Sequence, residues 1–142
     1  MNKDLETLYE RAVEDASFRQ EFVDSLNLGE MRKYISKLVV KRRQRRNWAM
    51  MCLNPILGLR RGVKMIIYPL AFSKEFHPNA HDFLSSLRDH EGHHMFQGAY
   101  GAVTARNGEI DAWENTLKNL SSKNSPRYRK RVKKSLDYYK YK

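Results

Sequence analysis

The motif His90-Glu91-Gly92-His93-His94 constrains this chain more than any other feature. Two histidines four residues apart lie on one face of an α-helix, so the imidazoles of His90 and His94 can reach one metal ion. Glu91 is displaced around the helix by roughly 100° from His90, so it can approach water at that metal without binding the metal itself. The spacing therefore predicts a helix that carries two metal ligands and a general base.

The residues around the motif predict a mostly helical domain with one short strand element. Residues 63–68 are β-branched and apolar, and Pro69 directly after them favours a strand at the edge of a sheet. Pro78 suits the first position of a helix, which we expect to run to about Gln97. The predicted fold class is α+β, mostly helical.

Further helices are predicted where apolar residues recur at helical spacing. They are a helix over residues 5–16, one opened by Ser17 with Gln20 in a capping box, one from about Glu30 to Trp48, one carrying Ile110, Trp113, Leu117 and Leu120, and one begun by Ser125-Pro126 that carries Tyr128, Val132, Leu136 and Tyr139. Glycine and asparagine between Gly98 and Gly108 predict a loop. The last two helices would follow the motif helix in the chain.

The third metal ligand is predicted to be a carboxylate, because no histidine follows His94. The downstream candidates are Glu109, Asp111, Glu114 and Asp137. Glu109 and Glu114 both border the apolar stripe of their helix, whereas Asp111 points away from it. A carboxylate directed at a core is costly unless it is paired or bound to a metal, which favours Glu109 and leaves Glu114 and Asp111 open.

Positive charge is concentrated in two segments of the chain, which has a net charge of +11. Residues 31–64 hold eleven basic residues and no acid, and residues 121–142 hold nine basic residues and one acid. One interpretation is attraction to phosphate on nucleic acid or another polyanion. The other is solvated helix faces that keep the protein soluble. Composition leaves both open.

Cysteine content and hydropathy set the expected compartment. A single cysteine, Cys52, excludes an internal disulfide and indicates a reducing environment. No apolar run approaches the roughly 18–20 residues of a membrane span, and the acidic start of the chain does not resemble a secretory signal. We therefore expect a cytoplasmic protein without a membrane span.

The histidine motif and the later segment Gly108-Glu109-Ile110-Asp111-Ala112-Trp113 together resemble the zincin metallopeptidases. Within them the chain is similar to the gluzincins, whose third zinc ligand is a glutamate on a second helix, and to the small minigluzincins in size. The resemblance covers about residues 63–120. It also likens the strand at 63–68 to the zincin edge strand, which holds an extended substrate peptide by backbone pairing.

This resemblance implies one Zn²⁺ per chain, bound by His90, His94 and Glu109, with Glu91 as general base on the zinc-bound water. Some gluzincins place an aspartate four residues after the third ligand, where it supports a zinc-bound histidine; here that residue is Trp113. A donor to the substrate carbonyl is not identified by the resemblance. Tyr100, Tyr128, Tyr138 and Tyr139 are the candidates.

The sequence thus predicts a zinc metallopeptidase, active or latent, that acts on peptides or proteins. Residues 1–60 are predicted to form a helical N-terminal arm, basic from residue 31. Residues 61–142 are predicted to form a minimal zincin-like catalytic domain, with a basic C-terminal helix. The alternative is a basic nucleic-acid-associated protein that binds through residues 31–64 and 121–142. In that case the zincin site would be structural, latent, or that of a targeted protease.

Overall fold

A computed structural model describes residues 4–53, 62–97 and 105–141. Its strands are β1 (Ile35–Val40), β2 (Met50–Leu53) and β3 (Val63–Ile67); its helices are α1 (Leu5–Glu14), α2 (Arg19–Asp24), α3 (Ala80–Leu84), α4 (Gly92–Phe96), α5 (Ala105–Asn119) and α6 (Pro126–Tyr141), with a π-helical segment at Ser85–Glu91 and 3₁₀ turns at Ala16–Phe18, Gly29–Tyr34 and Pro69–Phe72. The predicted class, α+β and mostly helical, is confirmed.

The three strands form one sheet in the order β1-β3-β2. β3 is parallel to β1 and antiparallel to β2, so it lies in the centre, and the predicted edge position of residues 63–68 is wrong. Val63, Met65, Ile66 and Ile67 are all buried, as expected for a strand covered on both faces. Pro69 begins the 3₁₀ turn after the strand and therefore removes no hydrogen bond from the sheet.

The helix predicted from Glu30 to Trp48 is also wrong. A 3₁₀ turn leads into β1, and the residues after Val40 form a connection to β2. The β-branched side chains of Ile35, Val39 and Val40 favour the strand, and pairing with β3 decides the outcome.

The capping box at Ser17 is replaced by a different cap. The side chain of Asp15 accepts the backbone N–H of Ser17 at 2.9 Å. Gln20 instead donates to the carbonyl of Leu38 and accepts from the backbone N–H of Val40, which fastens α2 to the outer edge of β1.

The histidine motif lies on a continuous helical run made of α3, the π-helical segment and α4, here called the motif helix. Its cap is Asn79, whose side chain accepts the backbone N–H of Asp82, so Pro78 lies just outside the helix instead of at its first position. The N–H of Gly92 donates to the carbonyl of Leu87, a bond that spans five residues. π-Helical turns of this kind are frequent at functional sites.

Gly92 permits close packing between the motif helix and the N-terminal part of the chain. A side chain at this position would place its Cβ 2.9 Å from Sδ of Met31. A buried cluster of aromatic rings from Tyr9, Phe22, Phe72 and Phe83 likewise joins the first part of the chain to the later part. The predicted domain boundary at residue 60 falls outside the described residues.

α5 and α6 pack against the motif helix and each other. α5 begins at Ala105, so Asn107 and Gly108 lie inside it and not in the predicted loop, whose residues 98–104 are outside the described range. Ala112 and Thr116 are its most buried side chains, and they let α5 approach closely. In α6 the buried residues are Tyr128, Val132 and Leu136, as predicted, whereas Tyr139, the fourth residue of the predicted apolar side, is half-buried. Across the described parts of the chain, no helix is both long and apolar enough to cross a membrane.

His77 lies in the core, where it has no solvent exposure. Its Nδ1–H donates to the carbonyl of Ala71 at 2.7 Å, which leaves Nε2 to accept the hydroxyl of Ser86 at 2.8 Å. The Tyr128 hydroxyl lies 2.7 Å from Ser86 Oγ. Burial lowers the pKa of His77 to about 3, and the charge of Arg131 acts in the same direction, whereas the hydrogen bond to Ala71 acts against it.

We expect His77 to make folding stability fall in acid. The unfolded chain takes up a proton on His77 near its ordinary pKa of about 6.5, and the folded chain does so only near 3. The free energy of unfolding should therefore decrease by about 1.4 kcal/mol per pH unit as pH falls through that interval. Urea titrations at several pH values, with a metal chelator present, measure this slope.

The variant His77→Gln should lose this contribution to the slope, while also lowering stability at neutral pH. His81→Gln, which changes a half-buried histidine on the next helix, is the matched control and should keep the slope. An identical slope in wild type and His77→Gln would show that acid destabilisation has another source.

Candidate metal centre

Three side chains from two helices meet at one point. Nε2 of His90 lies 3.4 Å from Oε2 of Glu109, and Nε2 of His94 lies 3.2 Å from Oε1 of the same carboxylate. One ligand atom from each residue lies within 4.8 Å of the others. The motif helix contributes both imidazoles, and the first half of α5 contributes the carboxylate. This group could hold a metal ion.

The spacing suits zinc on geometric grounds. Zinc binds histidine nitrogen and carboxylate oxygen at about 2.0–2.1 Å with tetrahedral angles, which separates two ligand atoms by about 3.3 Å. The two nitrogen–oxygen distances of 3.2 and 3.4 Å bracket that separation. Two histidines and a glutamate are also a donor set used by catalytic zinc sites, which leave a position open for water.

The other predicted carboxylates lie elsewhere. Glu114 forms an ion pair with Lys140 at 3.3 Å. Asp111 lies 3.3 Å from Nε2 of His93, and its side chain is 55% exposed. Asp137 is exposed on α6. Of the candidates weighed from the sequence, Glu109 is the one that the structure brings to His90 and His94.

The charges of the group are strongly coupled. Burial alone would lower the pKa of His94, but the hydrogen bond to Glu109 and the charge of Glu91 outweigh it and raise the pKa to about 9. Burial alone would raise the pKa of Glu109, yet hydrogen bonds from both histidines hold it at about 2. A metal ion entering the group must therefore displace a proton from His94.

Gln97 orients His94, a role that the sequence analysis missed. The amide oxygen of Gln97 can only accept, so Nδ1–H of His94 donates to it at 2.9 Å and Nε2 is the ring nitrogen that faces Glu109. The amide nitrogen of Gln97 donates to the carbonyl of Gly108 at 2.8 Å, one residue before Glu109. A glutamine three residues after a histidine on one helix was the available signal.

Trp113 orients His90 by stacking. The two ring centroids are 3.9 Å apart, with 34° between the ring planes. Nδ1 of His90 is buried, and no described residue forms a hydrogen bond with it. Trp113 lies four residues after Glu109, on the same side of α5. The indole thus packs against the His90 ring, and on the Nδ1 side the ring orientation depends on packing and not on a hydrogen bond.

Glu91 lies beside the group without joining it. Its Oε1 is 3.9 Å from Nε2 of His90, and its side chain is 16% exposed. Burial raises the pKa of Glu91, although the neighbouring histidines and a hydrogen bond from the backbone N–H of Cys52 act in the opposite direction. A carboxyl with a raised pKa is better matched to proton exchange near neutral pH.

A cavity of about 310 Å³ opens next to Glu91. Trp48 and Met50 line it on the side of β2, and Arg131 and Tyr139 of α6 line it on the other side. Of the predicted carbonyl donors, Tyr139 is the one that lines this cavity, since Tyr128 is buried and Tyr138 is 55% exposed. Tyr100 lies outside the described residues.

Comparison of the chain with protein-family models, curated proteins and solved structures finds no match. Any assignment of function therefore depends on the chemistry of this site.

Proposed function

We propose that the chain is a small zinc-dependent metallopeptidase of gluzincin type, which hydrolyses peptide bonds. The observation that carries the proposal is the convergence of His90, His94 and Glu109 on one point, with Glu91 beside them at the edge of a cavity. Two imidazoles, a carboxylate ligand and a second, non-ligating carboxylate are the parts that metal-assisted hydrolysis requires.

The residues of the chain divide this chemistry among them. Zinc held by His90, His94 and Glu109 would activate water near neutral pH and polarise a carbonyl as a Lewis acid. Glu91 would take the proton from the attacking water and deliver it to the departing amine nitrogen. Gln97 and Trp113 would keep the two imidazoles in place while this happens.

β2 offers a place for an extended substrate. It is an edge strand whose other side pairs with β3. The carbonyl of Ala49 accepts the N–H of Tyr68, so it points toward β3. Because this direction alternates from one residue to the next in an antiparallel strand, the backbone N–H and C=O groups of Met50 and Cys52 point away from β3. A peptide pairing with this edge would lie beside Glu91, whose carboxyl is close enough to Cys52 to act on it electrostatically.

Metal-dependent hydrolysis is the direct test of the proposal. The purified chain is stripped with a chelator, reloaded with one equivalent of zinc and incubated with a mixture of synthetic peptides, whose products are identified by mass spectrometry. We expect cleavage in the reloaded sample and none in the stripped one. Cleavage that persists after complete metal removal, or its absence at every metal loading, would overturn the proposal.

Tyr139 is expected to donate a hydrogen bond to the substrate carbonyl oxygen as negative charge develops there. Loss of one such donor lowers kcat by about 100–1,000-fold in other hydrolases. Tyr139→Phe should therefore reduce kcat strongly and leave zinc content unchanged. Tyr138→Phe removes the neighbouring, exposed hydroxyl and is the matched control. Equal kcat values in the two variants would exclude Tyr139 as the donor.

The alternative function, association with nucleic acid, has less support from the site. The basic residues of the predicted segments do not form one element, because those at 41–46 lie between β1 and β2 and those at 127–140 lie on α6. Residues 41–46 are all exposed, which suits a polyanion and equally suits solubility. A binding affinity for DNA or RNA that falls steeply with salt, in a chain that does not hydrolyse peptides, would favour it.

A further inference from the structure

A second cavity of about 310 Å³ lies between α6 and the segment that precedes the motif helix. Four cations of α6 line it, and they recur at three- and four-residue spacing on one side of the helix: Arg127, Lys130, Arg131 and Lys134. Phe76 and Pro78 form part of the opposite wall, and Glu75 contributes the one lining carboxylate. This cavity is called the basic groove below.

The basic groove lies next to the cavity beside the candidate metal centre. Phe76 and Arg131 line both cavities, so they stand where the two meet. The Arg131 guanidinium lies 3.4 Å from the centroid of the Phe76 ring and donates to the carbonyl of Phe76. These contacts fix a positive charge at the junction. The basic groove and the cavity lined by Glu91 and His90 are therefore neighbours, with Arg131 and Phe76 between them.

Positive charge exceeds negative charge in the lining of the basic groove, which holds four cations and Glu75. Within residues 4–53, 62–97 and 105–141, no carboxylate forms an ion pair with any of the four lining cations. Lys140, further along the same helix, is by contrast paired with Glu114. A groove lined by positively charged side chains attracts anionic ligands and raises their local concentration.

We propose that the basic groove binds acidic residues of a peptide substrate, so that the protein selects acidic peptides. This inference rests on the proposed peptidase function. From Arg127 to Lys134 the helix rises about 10 Å, which equals about three residues of an extended chain. The groove thus matches two or three consecutive Asp or Glu side chains. A peptide is favoured over a nucleic acid because the groove is small and lies next to the cavity that Glu91 lines.

Peptide binding is the first test, and it needs no hydrolysis. Fluorescent peptides of equal length, one with an Asp/Glu triplet and one with Asn/Gln in its place, are titrated with zinc-loaded Glu91→Gln protein at low and at physiological ionic strength. The acidic peptide should bind about tenfold more tightly at low salt. Lys130→Glu with Lys134→Glu should remove that preference, and Lys130→Gln with Lys134→Gln should reduce it.

The control variant reverses two exposed lysines elsewhere, Lys118→Glu with Lys123→Glu, and so changes net charge equally. It should keep the preference. Three outcomes would overturn the inference: equal binding of the acidic and neutral peptides, the same loss in the control variant, or displacement of the acidic peptide by a single-stranded oligonucleotide of equal charge at lower concentration. The last would assign the groove to nucleic acid.

Hydrolysis by the zinc-loaded wild type separates this inference from the function on which it rests. Selective binding of acidic peptides without cleavage of any peptide would refute the peptidase and leave the groove assignment standing. Cleavage of neutral and acidic peptides with equal kcat/KM would refute the groove assignment and leave the peptidase standing. If both hold, Lys130→Glu with Lys134→Glu should raise KM for the acidic peptide and leave kcat unchanged.

Discussion

Replacing Glu109 by Gln should reduce the zinc content of the purified chain from about one ion per molecule to almost none. The carboxylate lies 3.2 and 3.4 Å from the two imidazole nitrogens, and an amide offers a weaker, neutral donor in its place. Loss of a group that merely orients a ligand costs about 10–100-fold in metal affinity, so loss of the ligand itself should cost more than about 100-fold. Elemental mass spectrometry and competition with a chromogenic chelator measure the two quantities.

The matched controls are Glu114→Gln and Asp111→Asn, which remove carboxylates of the same helix that pair with Lys140 and His93 instead. Both should retain zinc. His94→Ala should lose it, and His93→Ala should keep it, because His93 does not belong to the group. Full zinc occupancy in Glu109→Gln, or loss in Glu114→Gln, would show that the third ligand has been misassigned.

Replacing Glu91 by Gln should separate metal binding from catalysis. Glu91 is not one of the three converging ligands, so we expect zinc content to remain near that of the wild type. Glutamine cannot accept the proton of the attacking water, and kcat should fall by about 100- to 10,000-fold. Steady-state hydrolysis of a cleaved peptide, together with the zinc content of the same preparation, measures both effects.

Glutamine is preferred to alanine at position 91 because it preserves more of the local structure. Glu91 is close to Cys52 of β2, and glutamine has nearly the shape of glutamate, so the edge strand β2 should stay in place. Glu91→Ala would remove the packing of the side chain as well as the base and is the less informative variant. Hydrolysis by Glu91→Gln at wild-type rate would refute the general-base role. Loss of zinc in Glu91→Gln would instead imply that Glu91 is a ligand.

Some elements could not be predicted correctly from the sequence, because two different structures satisfy the same local pattern of residues. Apolar β-branched residues at Ile35 and Val39 fit one face of a helix and also fit a strand, and pairing with β3 selects the strand. The composition of residues 63–68 predicts a strand whether it lies at the edge or in the centre of a sheet. Its central place depends on pairing with both β1 and β2.

The partners that orient the site were hidden for a related reason. Gln97 joins His94 to the carbonyl of Gly108, and Trp113 stacks on His90 from another helix. Arg131 and Phe76, which line both cavities, are more than fifty positions apart in the chain. The spacing of Gln97 from His94 is visible along the chain, but the contacts that reach another element are not, because they depend on how α5 and α6 cross the motif helix.

What the sequence determined by itself is local. Histidines four residues apart on a helix must share a face, and Glu91 must lie to one side of them, whatever the rest of the fold does. The amphipathic pattern of α6 likewise specifies its buried residues. The tertiary structure alone decided which carboxylate completes the group. Glu109 and Glu114 border the same apolar stripe, and only the packing of α5 on the motif helix brings Glu109 to His90 and His94 while Glu114 meets Lys140.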